Sequence, residues 1–302
     1  MLVKSFMYHD IRNHKDSDFG RLFHKRYELK SYITRNKFIK QIDFIKNESD
    51  IISTSQFLEL DKNDKGNYSI LTFDDGLLDH YDILDILIDK KINGTFFIPC
   101  EAVTRRKILL SNKIQFILAL VDEKKLTSLI IDELGDDKLW DIYSVSKWKD
   151  NWWSPEMVFV TNILRNHSSG KRLANQLFKD YVTTDEKDLC DKFYLNTDHI
   201  VELVNNGMYI GGHGYISEDL SNMSDARLDN EIFKSIEFVN NFYNGYRTFA
   251  YPNGGYNNDT LKCMSKYEYD LAFTTKQETL DSISFDPLMI PRYDASQTRL
   301  LP

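Results

Sequence analysis

Three short polar clusters carry the side chains best suited to hydrolytic chemistry. They are Asp74-Asp75-Gly76 after the run SILTF, His213-Gly214 after MYIGG, and Asn253-Gly254-Gly255 after TFAYP. Two carboxylates, an imidazole and a glycine-rich turn behind a proline form a set able to bind a divalent ion and polarise a carbonyl, which points to a metal hydrolase. Aspartate and histidine suit zinc, whose catalytic sites use three protein ligands and leave one position for water. A second carboxylate can then take the water's proton. Each cluster alone also has an ordinary structural reading. Asp-Asp-Gly reads as a strand-to-helix turn, His213 as a hydrogen-bonded core residue, and Tyr251-Pro252-Asn253-Gly254-Gly255 as a plain turn. Their equivalent placement after apolar runs favours function.

The elements that must position these clusters follow from periodicity. Residues 2–8 read as a strand ending at His9-Asp10, and 34–47 as a helix with Phe38, Ile42 and Ile45 on one face behind a Thr cap. SILTF (69–73) is a buried-type strand, HYDILDILIDKK has helical spacing, and GTFFIP (94–99) is the next strand, giving a parallel strand-helix-strand unit. The rhythm loosens over about 101–198 into helical pieces with an aromatic clump at Trp148, Trp152 and Trp153, which reads as a largely helical insertion. It resumes with HIVELVNNG, MYIGG, the helix LDNEIFKSIEFVNNFY, TFAYP, a helix near 259–266, LAFTT and a closing LMIP. The expectation is one α/β domain over 1–302, a (β/α) barrel whose strand ends gather the three clusters on one face.

TFDDG at 72–76, GGHGY at 211–215 and FAYPNGGY at 249–256, in that order, resemble the motifs of the polysaccharide deacetylases, the NodB-homology or carbohydrate esterase family four. The resemblance runs over about 69–100 and 208–292. It implies a deformed (β/α) barrel and metal-dependent removal of N- or O-acetyl groups from sugars. Carried over residue by residue, it makes Asp74 the catalytic base, Asp75 and His213 metal ligands, and the amide of Asn253 part of the oxyanion site. The MYH near the start and the closing IPR are similar to members that accompany surface-polysaccharide or nonulosonic-acid synthesis.

Two positions depart from the family's pattern. Its second histidine ligand would stand at Ser217, and a hydroxyl is a poor zinc ligand beside imidazole. Its late histidine, which protonates the leaving amine, is replaced by Arg292, a permanent cation able to stabilise an anion but not to donate a proton. His9 is therefore the first choice for an extra ligand or general acid. Glu218 and Asp219 are further carboxylates within reach of the ion, His80 reads as capping or facing solvent, and Asp294 as an ion-pair partner of Arg292.

Composition bounds the rest. A formal net charge of −8 argues against a general nucleic-acid or anionic-membrane binder. Cys100, Cys190 and Cys263 are too few and too widely spaced for a disulfide framework or a zinc ribbon, so reduced thiols are expected. The N-terminal stretch turns polar after eight residues and no run approaches a membrane span, from which a cytoplasmic protein is expected. The function expected is a zinc-dependent carbohydrate deacetylase acting on a sugar precursor in cell-surface glycan synthesis. The alternative is a catalytically impaired relative that binds carbohydrate. A homo-oligomer is compatible with an acidic protein carrying such an insertion.

Overall fold

A computed structural model describes residues 1–12, 32–61, 64–145, 153–242, 245–281 and 285–302. Among the described residues ten strands run in chain order as β1 (Leu2–Tyr8), β2 (Asp10–Arg12), β3 (Tyr32–Thr34), β4 (Asp50–Ile51), β5 (Asn67–Phe73), β6 (Thr95–Ile98), β7 (Tyr209–Gly212), β8 (Thr248–Ala250), β9 (Leu271–Phe273) and β10 (Tyr293–Asp294). The main sheet is ordered β10-β1-β5-β6-β7-β8-β9, with β4 beside the start of β5, and its neighbours pair parallel. Ile290 bridges Phe273 at the end of β9, while Tyr293 and Asp294 pair with Phe6 and Met7 of β1. One short segment thus reaches both margins of the sheet and closes it into a barrel.

The strands form where the sequence can be buried on both faces, as parallel strands flanked by helices require. Ser69 to Phe73 of β5 and all of β6 are buried. Inside the barrel Val3, Ile70, Phe97, Ala250, Leu271, Phe273 and Ile290 pack together. Outside, Phe73 stacks on Phe96 at 4.6 Å between ring centroids and on Tyr8 at 5.5 Å, and Phe38 meets Tyr8 edge-on. Phe38 comes from the helix Arg35–Glu48, whose buried face is Phe38, Gln41, Ile42 and Ile45 and whose first turn is capped by Thr34 accepting from Lys37 N–H at 3.1 Å. Gly211 is needed for close approach: a Cβ there would lie 2.5 Å from the Phe97 ring and 2.6 Å from Thr248 Oγ1.

Some elements differ from the sequence expectation. The stretch after Asp-Asp-Gly forms a 3-10 turn at Leu78–His80 and a helix only over Leu84–Asp89. LMIP is not a strand. It makes a single bridge at Ile290 before β10, because the segment must cross from one margin of the sheet to the other. Strands β2 and β3 pair with each other in a separate two-stranded sheet.

The described residues cluster into two compact units, the barrel and a helical unit over Ile108–Leu189. The helical unit is narrower than the expected 101–198, since the helices Cys100–Thr104 and Thr197–Asn205 lie with the barrel. Within it the helices Leu110–Leu120 and Gly170–Tyr181 pack together, and Pro155–Asn166 packs on both and on Glu123–Leu134. Buried Lys113 ties it internally, with Nζ 2.8 Å from Glu186 and 2.8 Å from Asn175. Trp148 and Trp152 fall outside the described residues, and Trp153 is half-buried.

Candidate active site

The C-terminal ends of β5, β7 and β8 carry Asp74-Asp75, His213 and Asn253, on the face where barrel enzymes assemble their sites. Three of these loops use left-handed backbone at non-glycine residues: Asp75 (φ 75°), Ser217 (φ 54°) and Asn253 (φ 54°). Such conformations are uncommon for aspartate and serine and gather at functional sites. At Asp75 the consequence is local. Successive residues of a strand face opposite sides, yet the left-handed turn brings the Asp75 carboxylate to 3.5 Å from His213 Nε2, while neighbouring Asp74 points into the barrel.

Asp74 is buried and held by Arg292. The guanidinium donates from Nη1 to Asp74 Oδ1 at 2.7 Å and from Nη2 to Oδ2 at 2.8 Å, a bidentate pair. Nη1 also donates to Thr72 Oγ1 and Nε to the Thr274 carbonyl, each at 3.0 Å. Arg292 has no exposed surface and lies between the rings of Phe97 and Phe273, at 5.6 and 5.9 Å from their centroids. Burial would raise the Asp74 carboxyl, but the charges of Arg292, His213 and His9 outweigh it and hold the group below the usual carboxylate range. Arg292 therefore fixes the Asp74 carboxylate from inside the barrel. The expectation that it pairs with Asp294 does not hold: Asp294 accepts from Ser296 N–H at 2.8 Å in a turn of its own. Nor does a buried guanidinium spent on Asp74 remain to recognise a substrate anion.

His213 is almost fully buried and its tautomer is set by the backbone. Nδ1 donates to the Ala250 carbonyl at 2.8 Å, which leaves the lone pair of Nε2 turned to Asp75. Burial disfavours the imidazolium, yet the hydrogen bond to Asp75, the charges of both aspartates and the Ala250 carbonyl raise the group above the ordinary histidine value. A lone pair facing a carboxylate oxygen calls for a proton or a cation between them. Two ligands of one tetrahedral zinc, each at about 2.0–2.1 Å, stand roughly 3.3 Å apart, so Asp75 and His213 fit two corners of a coordination shell. Among the described residues no group of three or more His, Cys, Asp or Glu side chains is gathered to complete it. The donor set thus fits a divalent ion at two points.

The remaining expected residues are placed as follows. His9 is half-buried at the end of β1, close enough for its charge to act on Asp74, and its carbonyl accepts from His80 Nε2 at 3.0 Å. His80 neither caps nor faces solvent: it is fully buried against Phe73 and Phe96, and burial pushes its imidazole down to about 4. Glu218 pairs with Arg227 and Asp219 accepts from Ser221 N–H at 2.8 Å, and among the described residues neither joins Asp75 and His213 in a group of three potential ligands. Ser217 is buried in its left-handed turn. One residue was not singled out from the sequence, Glu231, which accepts from Tyr215 and Ile216 N–H in the His213 loop. Its signal was a carboxylate at helical spacing with Leu228, Ile232 and Ser235 on a buried face.

The sequence model of the polysaccharide deacetylase family matches residues 165–272, a segment that holds His213, Ser217 and Asn253 but not Asp74-Asp75. No curated protein sequence matches the chain. Solved structures similar to it include the Streptococcus pyogenes deacetylase PplD in complex with acetate, at 16% identity and TM-score 0.58 over 97% of this chain and 92% of that one. IcaB from Ammonifex degensii matches at 15% and 0.55 over 97% and 91%. A polysaccharide deacetylase from Bacillus cereus matches at 15% and 0.57 over 99% and 67%. At these identities the likeness to solved structures is one of fold, the parallel (β/α) barrel of the deacetylases. The chain is thus similar to the polysaccharide deacetylases in the sequence of residues 165–272 and in the fold of its barrel.

Proposed function

We propose that the protein is a metal-assisted carbohydrate deacetylase that releases acetate from an acetylated sugar or sugar precursor of cell-surface glycan synthesis. The observation that carries this reading is the buried Asp74 carboxylate, fixed by Arg292 beside the Asp75–His213 pair. Held ionised, Asp74 takes a proton from the attacking water. The Asn253 amide stands at the end of β8 as a donor for the oxygen that becomes anionic. His9, half-buried after the end of β1, would give a proton to the departing amine or alcohol. A divalent ion bound at Asp75 and His213, zinc by its ligand types, would supply charge to polarise the acetyl carbonyl and acidify water. The product acid leaves as acetate, the species bound by the structurally similar PplD.

Cys100, Cys190 and Cys263 are buried and form no disulfide among the described residues, which suits a reducing compartment and supports the cytoplasm as the place of action. No helix among the described residues is long and apolar enough to cross a membrane.

Acetate release from N- and O-acetylated sugars, measured after chelation and again after zinc addition, tests the reading. Activity lost on chelation and restored by zinc supports it, and activity indifferent to both sinks the metal's part. A second reading, a carbohydrate-binding relative without catalysis, draws on the two-point donor set. Retained sugar binding with no acetate release under saturating zinc would establish it.

A further inference from the structure

The loop from His213 to Ser217 leaves β7 without regular structure of its own, so its neighbours must impose its shape. Gly214 and Ser217 both take left-handed backbone, with φ of 70° and 54°. From one side, Cys100 N–H donates to the Gly214 carbonyl at 3.3 Å and Glu101 N–H to the Tyr215 carbonyl at 2.8 Å. From the other, a single oxygen, Glu231 Oε2, accepts from Tyr215 N–H and Ile216 N–H, both at 3.0 Å. Glu231 is 3% exposed, on the inward face of the helix Asp225–Asn240. A buried carboxylate is costly unless hydrogen-bonded, and bonds to a charged acceptor are about twice as strong as neutral ones. The two amides it takes belong to residues between His213 and Ser217.

We propose that Glu231 is a positioning residue of the candidate site: by holding both amides it fixes the loop that keeps the His213 ring on Ala250 and Asp75 and Ser217 in its buried turn. The inference rests on the reading of His213 as part of a functional site. Glu231 acts through the loop, not on substrate.

The test uses the full chain with Glu231→Ala and Glu231→Gln, the glutamine retaining one acceptor oxygen. Hydrogen exchange of the Tyr215 and Ile216 amides, the ring-nitrogen NMR signals of His213, and titration of zinc alone are the readouts. In Glu231→Ala the two amides should exchange at least about tenfold faster, His213 should lose its single Nδ1–H tautomer, and zinc affinity should fall about 10- to 100-fold, the range for residues that orient ligands. Glu231→Gln should recover part of each change, and it carries the test if the alanine variant does not fold. Faster amide exchange with His213 signals and zinc affinity both unchanged would overturn the proposal, as would amides that do not respond. If the wild type binds no zinc and releases no acetate, the functional reading fails while the His213 ring signals still decide the role of Glu231.

Discussion

Asp74 and Arg292 are each legible as site residues, but their partnership is not, because the nearest carboxylate to Arg292 in sequence is Asp294 and only the closed barrel brings residue 74 to it. The pairing changes what substitution should do. Asp74→Asn removes the charge opposite a guanidinium with no exposed surface, and breaking a buried pair from one side costs about 3–5 kcal/mol. We therefore expect Asp74→Asn to abolish acetate release and also to lose about that much stability in urea, as should Arg292→Met. The double variant should recover part of the stability and none of the activity, the non-additivity expected of directly coupled residues. Urea unfolding of the three variants measures this. Single variants as stable as the wild type would show that the pair is not buried. The Ser217 and Arg292 departures were visible in the sequence as substitutions. What the arginine does instead became visible only through Thr72, Thr274 and the two phenylalanine rings around it.

Strands β5, β6 and β7 were readable because a strand buried on both faces must be a short apolar run, and the runs of β5 and β7 end in polar clusters. The helix after Asp-Asp-Gly is shorter than its spacing predicts, since helical periodicity over HYDILDILIDKK says nothing of the 3-10 turn at Leu78–His80 that buries His80. The two-stranded β2–β3 pairing left no signal in segments of three residues. The position of β7 itself depends on Gly211. A methyl group there would overlap the Phe97 ring and Thr248 Oγ1, so Gly211→Ala should cost about 1–3 kcal/mol by overpacking and shift the strand whose end presents His213. Thermal unfolding and zinc titration of that variant check the two effects. Unchanged values in both would mean that β7 has room the structure does not show.

Stability against pH is a property of the whole fold, and the buried site groups set its direction. His80 is held neutral, its value pushed from 6.5 down to about 4, so its contribution is complete above about 6.5 and is lost as pH falls towards 4. The loss is of the order of 3 kcal/mol. Asp74, lowered by Arg292, adds a loss at still lower pH, as its carboxylate is protonated. His213 is shifted upward and works the other way: its contribution is present below about 6.5 and fades as pH rises through its folded value. His80→Phe keeps the aromatic packing and removes the titration. The difference in urea stability between wild type and variant should therefore shrink in the variant's favour between neutral pH and about pH 4. A constant difference would place His80 outside the acid response. The closing segment of the barrel has a further consequence for how the protein is made. Arg292 follows Asp74 by 218 residues, and the entire helical unit is synthesised between them. While the chain emerges, strands β5 and β6 can pair, yet the Asp74 carboxylate lacks its guanidinium partner. Contacts of such long sequence separation form late and slow folding. The Asp74 carboxylate thus gains its bidentate partner late, and the barrel stays open at one seam until the segment around Ile290–Asp294 arrives.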